Sequence, residues 1–116
     1  MTAPAPARVR VLRADDVVDF VGISLVCDVS EDAWESLRGA LDQCADRAEM
    51  MARLRPNRRE DIIATHNANL RALARTGVER VLEEDGREFT DTDICFCCGR
   101  VAAMNRCFTC RPEYYR

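Results

Sequence analysis

The chain has 116 residues, 47% hydrophobic and 32% charged, with a formal net charge of −3. That length supports one domain with at most a small appendage, and the acidic balance leaves no global basic field to recruit nucleic acid or a membrane surface. All 17 basic residues are arginine, and the longest uncharged stretch near the N-terminus, the eight residues Phe20 to Cys27, is far too short to span a bilayer.

Residues 1–7 (Met-Thr-Ala-Pro-Ala-Pro-Ala) lack the apolar core of a signal peptide and read as a flexible tail. Residues 8–13, Arg-Val-Arg-Val-Leu-Arg, largely alternate charged and apolar side chains, the period-2 pattern of a half-buried strand. Val17 to Asp28 reads as a second strand with Val21, Ile23, Leu25 and Cys27 on its inner face, completing an N-terminal β-hairpin. A short helix starting at Asp16 is the alternative. Ser30 then caps a helix with Glu31 and Asp32 in its first turn, where carboxylates suit the helix dipole. Pro56 stops that helix near Leu54. Along it Trp34, Leu37, Leu41, Cys44, Ala48 and Met51 recur at steps of three and four, a heptad seam.

Asn57 followed by Glu60 has the form of a capping box for a second helix, over about 58–76, carrying Ile62, Ile63, His66, Leu70, Leu73 and Ala74. Gly77 supplies its left-handed stop. The short break makes the two helices an antiparallel hairpin. Val78, Val81 and Leu82 follow at helical spacing, giving a short third helix or else a β-hairpin turning at Asp85-Gly86. Residues 87–94 are an acidic connector.

Charge comes in blocks. Residues 31–52 hold six acids against two arginines, residues 53–76 six arginines against two acids, and residues 77–94 seven acids against two arginines. The two helices of the hairpin therefore carry opposite net charge. Arg53, Arg55, Arg58 and Arg59 gather at the hairpin tip, where guanidinium groups can pair with carboxylates or phosphates.

Five of the seven cysteines fall in the last 22 residues, four of them as two C-x2-C pairs, Cys95/Cys98 and Cys107/Cys110, separated by eight residues. Each C-x2-C turn presents two sulfurs on one side of a bend, and two facing turns supply the four thiolates of a tetrahedral Zn(II) site. Iron with the same four ligands is the alternative. The run Cys95-Phe-Cys97-Cys98-Gly99 resembles the knuckle of the zinc-ribbon proteins; the resemblance covers residues 95–110 and implies a metal-held β-hairpin with no particular activity. Arg111-Pro112 stands where a second knuckle glycine belongs, so a less regular second turn is expected. Four bound thiolates and one zinc ion lower the local charge from +3 to about +1.

Cys97 is the spare thiol, pointing away from the metal; a redox-sensing role is weighed against an uninvolved one. Cys27 and Cys44 lie on apolar faces and act as small hydrophobes. His66, the only histidine, belongs to an apolar stripe, so no Ser/His/Asp or Cys/His constellation arises, and the five scattered glycines make no phosphate loop. Arg100, Arg106 and Tyr114 in the cysteine segment form a second candidate contact surface, whereas Phe96 and Phe108 are expected to pack inward.

The expectation is therefore an α+β protein: a flexible tail at 1–7, a small α+β domain at 8–94 built from a β-hairpin and a helical hairpin, and a zinc ribbon at 95–116. The metal ligands are Cys95, Cys98, Cys107 and Cys110. The expected role is that of a non-enzymatic, cytoplasmic regulator or adaptor binding a protein partner. Nucleic-acid binding and thiol redox chemistry are the alternatives, and a homodimer through helix 31–54 is an added option. The paired thiols without an export signal suit a reducing compartment.

Overall fold

The computed structural model describes residues 9–115. The expected tail, and Arg8 at the start of the expected first strand, lie outside these. Within residues 9–115 four α-helices follow in order, α1 (Ala14–Val17), α2 (Phe20–Val26), α3 (Glu31–Leu54) and α4 (Arg59–Glu84), with one 3-10 turn between α3 and α4 and three more after α4. Among the described residues there is no strand, only the isolated bridges Val18 to Val101 and Ile94 to Val101. The α+β assignment is thereby overturned: there is no N-terminal β-hairpin, and the cysteine segment is built from turns, not a β-ribbon.

The physical reason lies in what satisfies the backbone. The side chain of Asp19 accepts from the Gly22 N–H at 2.9 Å and starts α2, where a strand was expected. In α2, Phe20 and Ile23 turn inward, and Val21 and Leu25 are left exposed. The segment before α1 is extended but pairs with helix side chains. Asn67 accepts from the Leu12 N–H at 2.9 Å and donates to the Arg10 carbonyl at 3.1 Å, while His66 Nε2 donates to the Leu12 carbonyl at 3.0 Å. That bond also fixes the tautomer of His66 and gives it a structural task. Arg13 sits among Asp42, Asp46 and Glu49 of α3.

Ser30 caps α3 as expected, accepting from the Ala33 N–H at 3.3 Å. The expected Asn57 cap is not used: a 3-10 turn over Pro56–Arg58 leads into α4, whose N-cap, Arg58, makes no side-chain cap bond. Nor does α4 stop at Gly77. A Cβ there would meet Leu37 Cδ1 at 2.4 Å, so this glycine admits a side chain of α3 into the interior of α4. The helix absorbs the expected third helix and ends at Gly86, at φ +82°, with Arg87 N–H on the Leu82 carbonyl (2.8 Å) and Gly86 N–H on the Glu83 carbonyl (3.0 Å). This is a Schellman stop.

The core lies between α3 and α4, with α1 and α2 covering one end. Trp34, Leu41, Ala45, Ala48 and Ala52 of α3 are buried, as are Ile63, Leu70, Ala74, Val78 and Leu82 of α4. The three alanines allow the helix axes to approach closely. The seam thus serves as internal core at Trp34, Leu41 and Ala48, while Met51 is 41% exposed. Phe20 meets Trp34 edge to face, with centroids 5.8 Å apart.

Candidate metal centre

The connector after α4 is shaped by Asp93, buried to 2% exposure, which accepts from Arg87 at 2.6 Å and from the Thr90 N–H at 2.8 Å. Its own carbonyl accepts from Ala102 N–H at 2.8 Å, and Cys95 N–H donates to the Arg100 carbonyl at 2.8 Å, which brings the chain back on itself around the first cysteine pair. Gly99, at φ +71°, closes that knuckle with its N–H on the Cys95 carbonyl at 2.9 Å. In the second knuckle Arg111 N–H likewise reaches the Cys107 carbonyl at 2.9 Å, but without a positive φ, so the two turns share their hydrogen bond and differ in backbone conformation at the position after the second cysteine.

Between the pairs, Met104 and Asn105 adopt left-handed conformations, at φ 58° and 61°. The Asn105 carboxamide secures this reversal by donating to the carbonyls of Ile94 (2.8 Å) and Asp91 (3.2 Å). Tyr115 donates to the carbonyls of Arg106 and Ala103 and closes the segment from below.

These turns bring together the four cysteines singled out in the sequence. The sulfurs of Cys95, Cys98, Cys107 and Cys110 all lie within 4.8 Å of one another, with Cys98 and Cys107 at 3.6 Å. Four sulfurs at the ~2.3 Å bond length of tetrahedral zinc stand about 3.8 Å apart, so the cluster has the dimensions of a metal site. Cys95 and Cys107 are buried, Cys110 half-buried and Cys98 exposed.

The electrostatics favour the thiolate at Cys95 and resist it at Cys98 and Cys110. Burial pushes the Cys95 thiol up, but backbone N–H groups of Cys107, Cys98 and Cys97 outweigh it and bring the pKa down to about 6. Burial raises Cys98, and thiol–thiol hydrogen bonds with Cys107 and Cys98 raise Cys110. Several thiolates packed together repel unless a cation lies between them, which is the charge pattern a divalent ion compensates.

Asp19, which the sequence reading passed over, ties this centre to the helices. Only 5% exposed, it holds the Gly22 N–H with Oδ1 and accepts the Phe108 N–H with Oδ2, one residue beyond Cys107 of the cluster. Its backbone N–H reaches the Val101 carbonyl at 2.7 Å, and Val101 N–H reaches the Val17 carbonyl at 2.9 Å. A Cβ at residue 22 would stand 2.5 Å from Asp19 Oδ2, so Gly22 makes room for the carboxylate. The Asp-x-x-Gly spacing was the available signal. For Asp93, it was the Thr90-x-x-Asp93 capping box.

The candidate contact residues divide. Arg53, Arg55 and Arg58 are exposed and Arg59 half-buried, and none has a carboxylate within 4.0 Å among the described residues. Arg106 stacks on the Tyr114 ring at 3.7 Å. Arg100 is engaged internally, donating to Thr109 Oγ1 at 2.8 Å and to the Asp16 carbonyl at 3.4 Å. Contrary to expectation, Phe96 and Phe108 are 76% and 42% exposed; Cys97, the spare thiol outside the cluster, is exposed. No helix among the described residues is long and apolar enough to cross a membrane. The chain matches no protein-family model, no curated protein and no solved structure.

Proposed function

We propose that the protein is a non-enzymatic, zinc-stapled module that binds a protein partner through the arginine tip of its helical hairpin. The observation that carries this reading is the tip: four arginines within residues 53–59, without carboxylate partners among the described residues. Planar guanidinium forks at an exposed turn suit carboxylate groups on a partner surface. The four-cysteine cluster supports a structural metal, because four sulfur ligands fill a tetrahedral shell and leave no position for water or substrate. Zinc is the proposed ion, and a reducing, cytoplasmic setting keeps the thiols available to it.

The test has two arms. Elemental analysis of the purified chain is expected to give one zinc per chain; iron or disulfide-linked cysteines would refute the zinc staple. Changing Arg53, Arg55, Arg58 and Arg59 together to glutamate is expected to abolish capture of a host protein with metal content unchanged. Capture that survives the change would overturn the tip reading. A nucleic-acid partner would instead show itself as oligonucleotide binding that falls steeply and log-linearly with salt.

A further inference from the structure

The two ends of α3 are complementary to each other. At its start, α2 and the first turns of α3 enclose a groove of about 490 Å³ with an apolar floor that includes Val21, Leu25, Val29 and Trp34. Val21 and Leu25 are 55% and 57% exposed. The rim is acidic: Glu31 and Glu35 line the groove, and Asp28 and Asp32 stand exposed beside them in sequence. The one cation in the groove, Arg38, is stacked on Phe20 at 4.6 Å and paired with Asp15 at 3.5 Å and, more loosely, with the rim carboxylate Glu35 at 3.9 Å. Glu31 stands unpaired among the described residues. At the far end of α3, roughly 35 Å away at ~1.5 Å per residue, Leu54 projects with 70% of its surface exposed, between Arg53 and Arg55. One end is an apolar slot with an acidic rim; the other is an apolar knob with basic flanks.

We infer that the groove is a docking site for the hairpin tip of a second copy of this chain, Leu54 entering the apolar slot while its flanking arginines meet Glu31 and Glu35. This rests on the reading of the tip as a protein-contact surface and names its partner. The contact joins two different patches, so copies add head to tail, each leaving one slot and one knob unused until the assembly closes on itself as an antiparallel pair or a ring. It uses the ends of α3, leaving the buried seam undisturbed.

The protein itself is the probe. Sedimentation velocity over a concentration series from micromolar to millimolar is expected to show a mass that rises from the monomer, and molar salt is expected to reverse much of the rise by screening the rim charges. The single tryptophan lies in the slot, so its emission should shift with assembly. Leu54→Glu and Leu25→Arg change exposed side chains and should each give a monomer, with association weakened about 30-fold or more, the loss expected for a central contact residue. An equal mixture of the two variants decides the case. One retains only the slot and the other only the knob, so the mixture should form a one-to-one dimer and stop. A monomeric parent chain at every concentration, a mixture that stays monomeric, or variants that assemble like the parent would each overturn the inference. The tip reading fails separately, by host-protein capture that survives the four-arginine reversal, whether or not the chain self-associates.

Discussion

Replacing Asp19 with alanine removes two bonds with one substitution. The Gly22 N–H at the start of α2 loses its cap, which by itself is worth about 1 kcal/mol. The Phe108 N–H beside Cys107 loses its acceptor, and an unsatisfied, partly buried donor adds about 1–3 kcal/mol. The expected loss is therefore about 2–4 kcal/mol, a large share of the stability of a chain this size, and a fall in Tm on the order of 10–20 °C. Asp19→Asn keeps one acceptor oxygen and turns an NH2 group toward the other donor, so it should fall between the parent and the alanine variant. Because the lost bond orients a turn next to a metal ligand, zinc affinity should drop by about tenfold or more, as for other groups that support ligands from behind. Urea unfolding followed by circular dichroism gives the first quantity, and competition with a chromophoric chelator the second. Asp19→Ala within about 0.5 kcal/mol of the parent, with unchanged zinc affinity, would refute the claim that this carboxylate joins the metal centre to the helices.

Gly77→Ala should destabilise the hairpin by about 1–3 kcal/mol despite alanine's better helix propensity, because its Cβ enters the space of Leu37; Leu37→Ala in the same chain should relieve part of the loss in thermal melts. Serine at Cys95, Cys98, Cys107 or Cys110 should abolish stoichiometric zinc by elemental analysis, whereas Cys97→Ser should leave it intact, and loss of metal in that variant would show the first knuckle to be wrongly paired. In the metal-free chain, thiolate ultraviolet absorbance should reveal one thiol ionising near pH 6, absent in Cys95→Ser. Since that pKa is depressed on folding from 9.0 to about 6, its contribution is fully present above pH ~9 and is lost as pH falls through ~6, so the metal-free fold should be more stable at pH 8 than at pH 6. A flat or inverted dependence over that window would contradict the arrangement of N–H groups around the Cys95 sulfur.

What could be read from the sequence was what local chemistry decides. Ser30 and Pro56 bound α3 correctly because a capping hydroxyl and a missing N–H act within a few residues. The gathering of Cys95, Cys98, Cys107 and Cys110 was legible because two C-x2-C pairs are the spacing that brings four sulfurs together. Phe20–Val26 misled because seven mostly apolar residues fit a strand as well as a helix, and the deciding group, Asp19, stands outside the run. Gly77 misled because its reason for being glycine is Leu37, forty residues earlier in the chain, not its own φ. The role of Asp19 toward Phe108 spans 89 residues and leaves no periodic trace.

That span also sets an order of events during synthesis. The chain leaves the ribosome N-terminus first, at about 5–20 residues per second. α3 and α4 can pair as soon as both have emerged, since their hairpin closes a short loop. At that stage α2 can acquire its local bond to Asp19 and the packing of Phe20 on Trp34. The partners that Asp19 reaches in the cysteine segment, Val101 and Phe108, are made more than eighty residues later, and the turn around Phe108 lies beside the cysteines. The link between Asp19 and the cysteine segment thus forms after the helices have paired, and under the proposed zinc staple metal supply, rather than helix formation, would set the moment at which it closes.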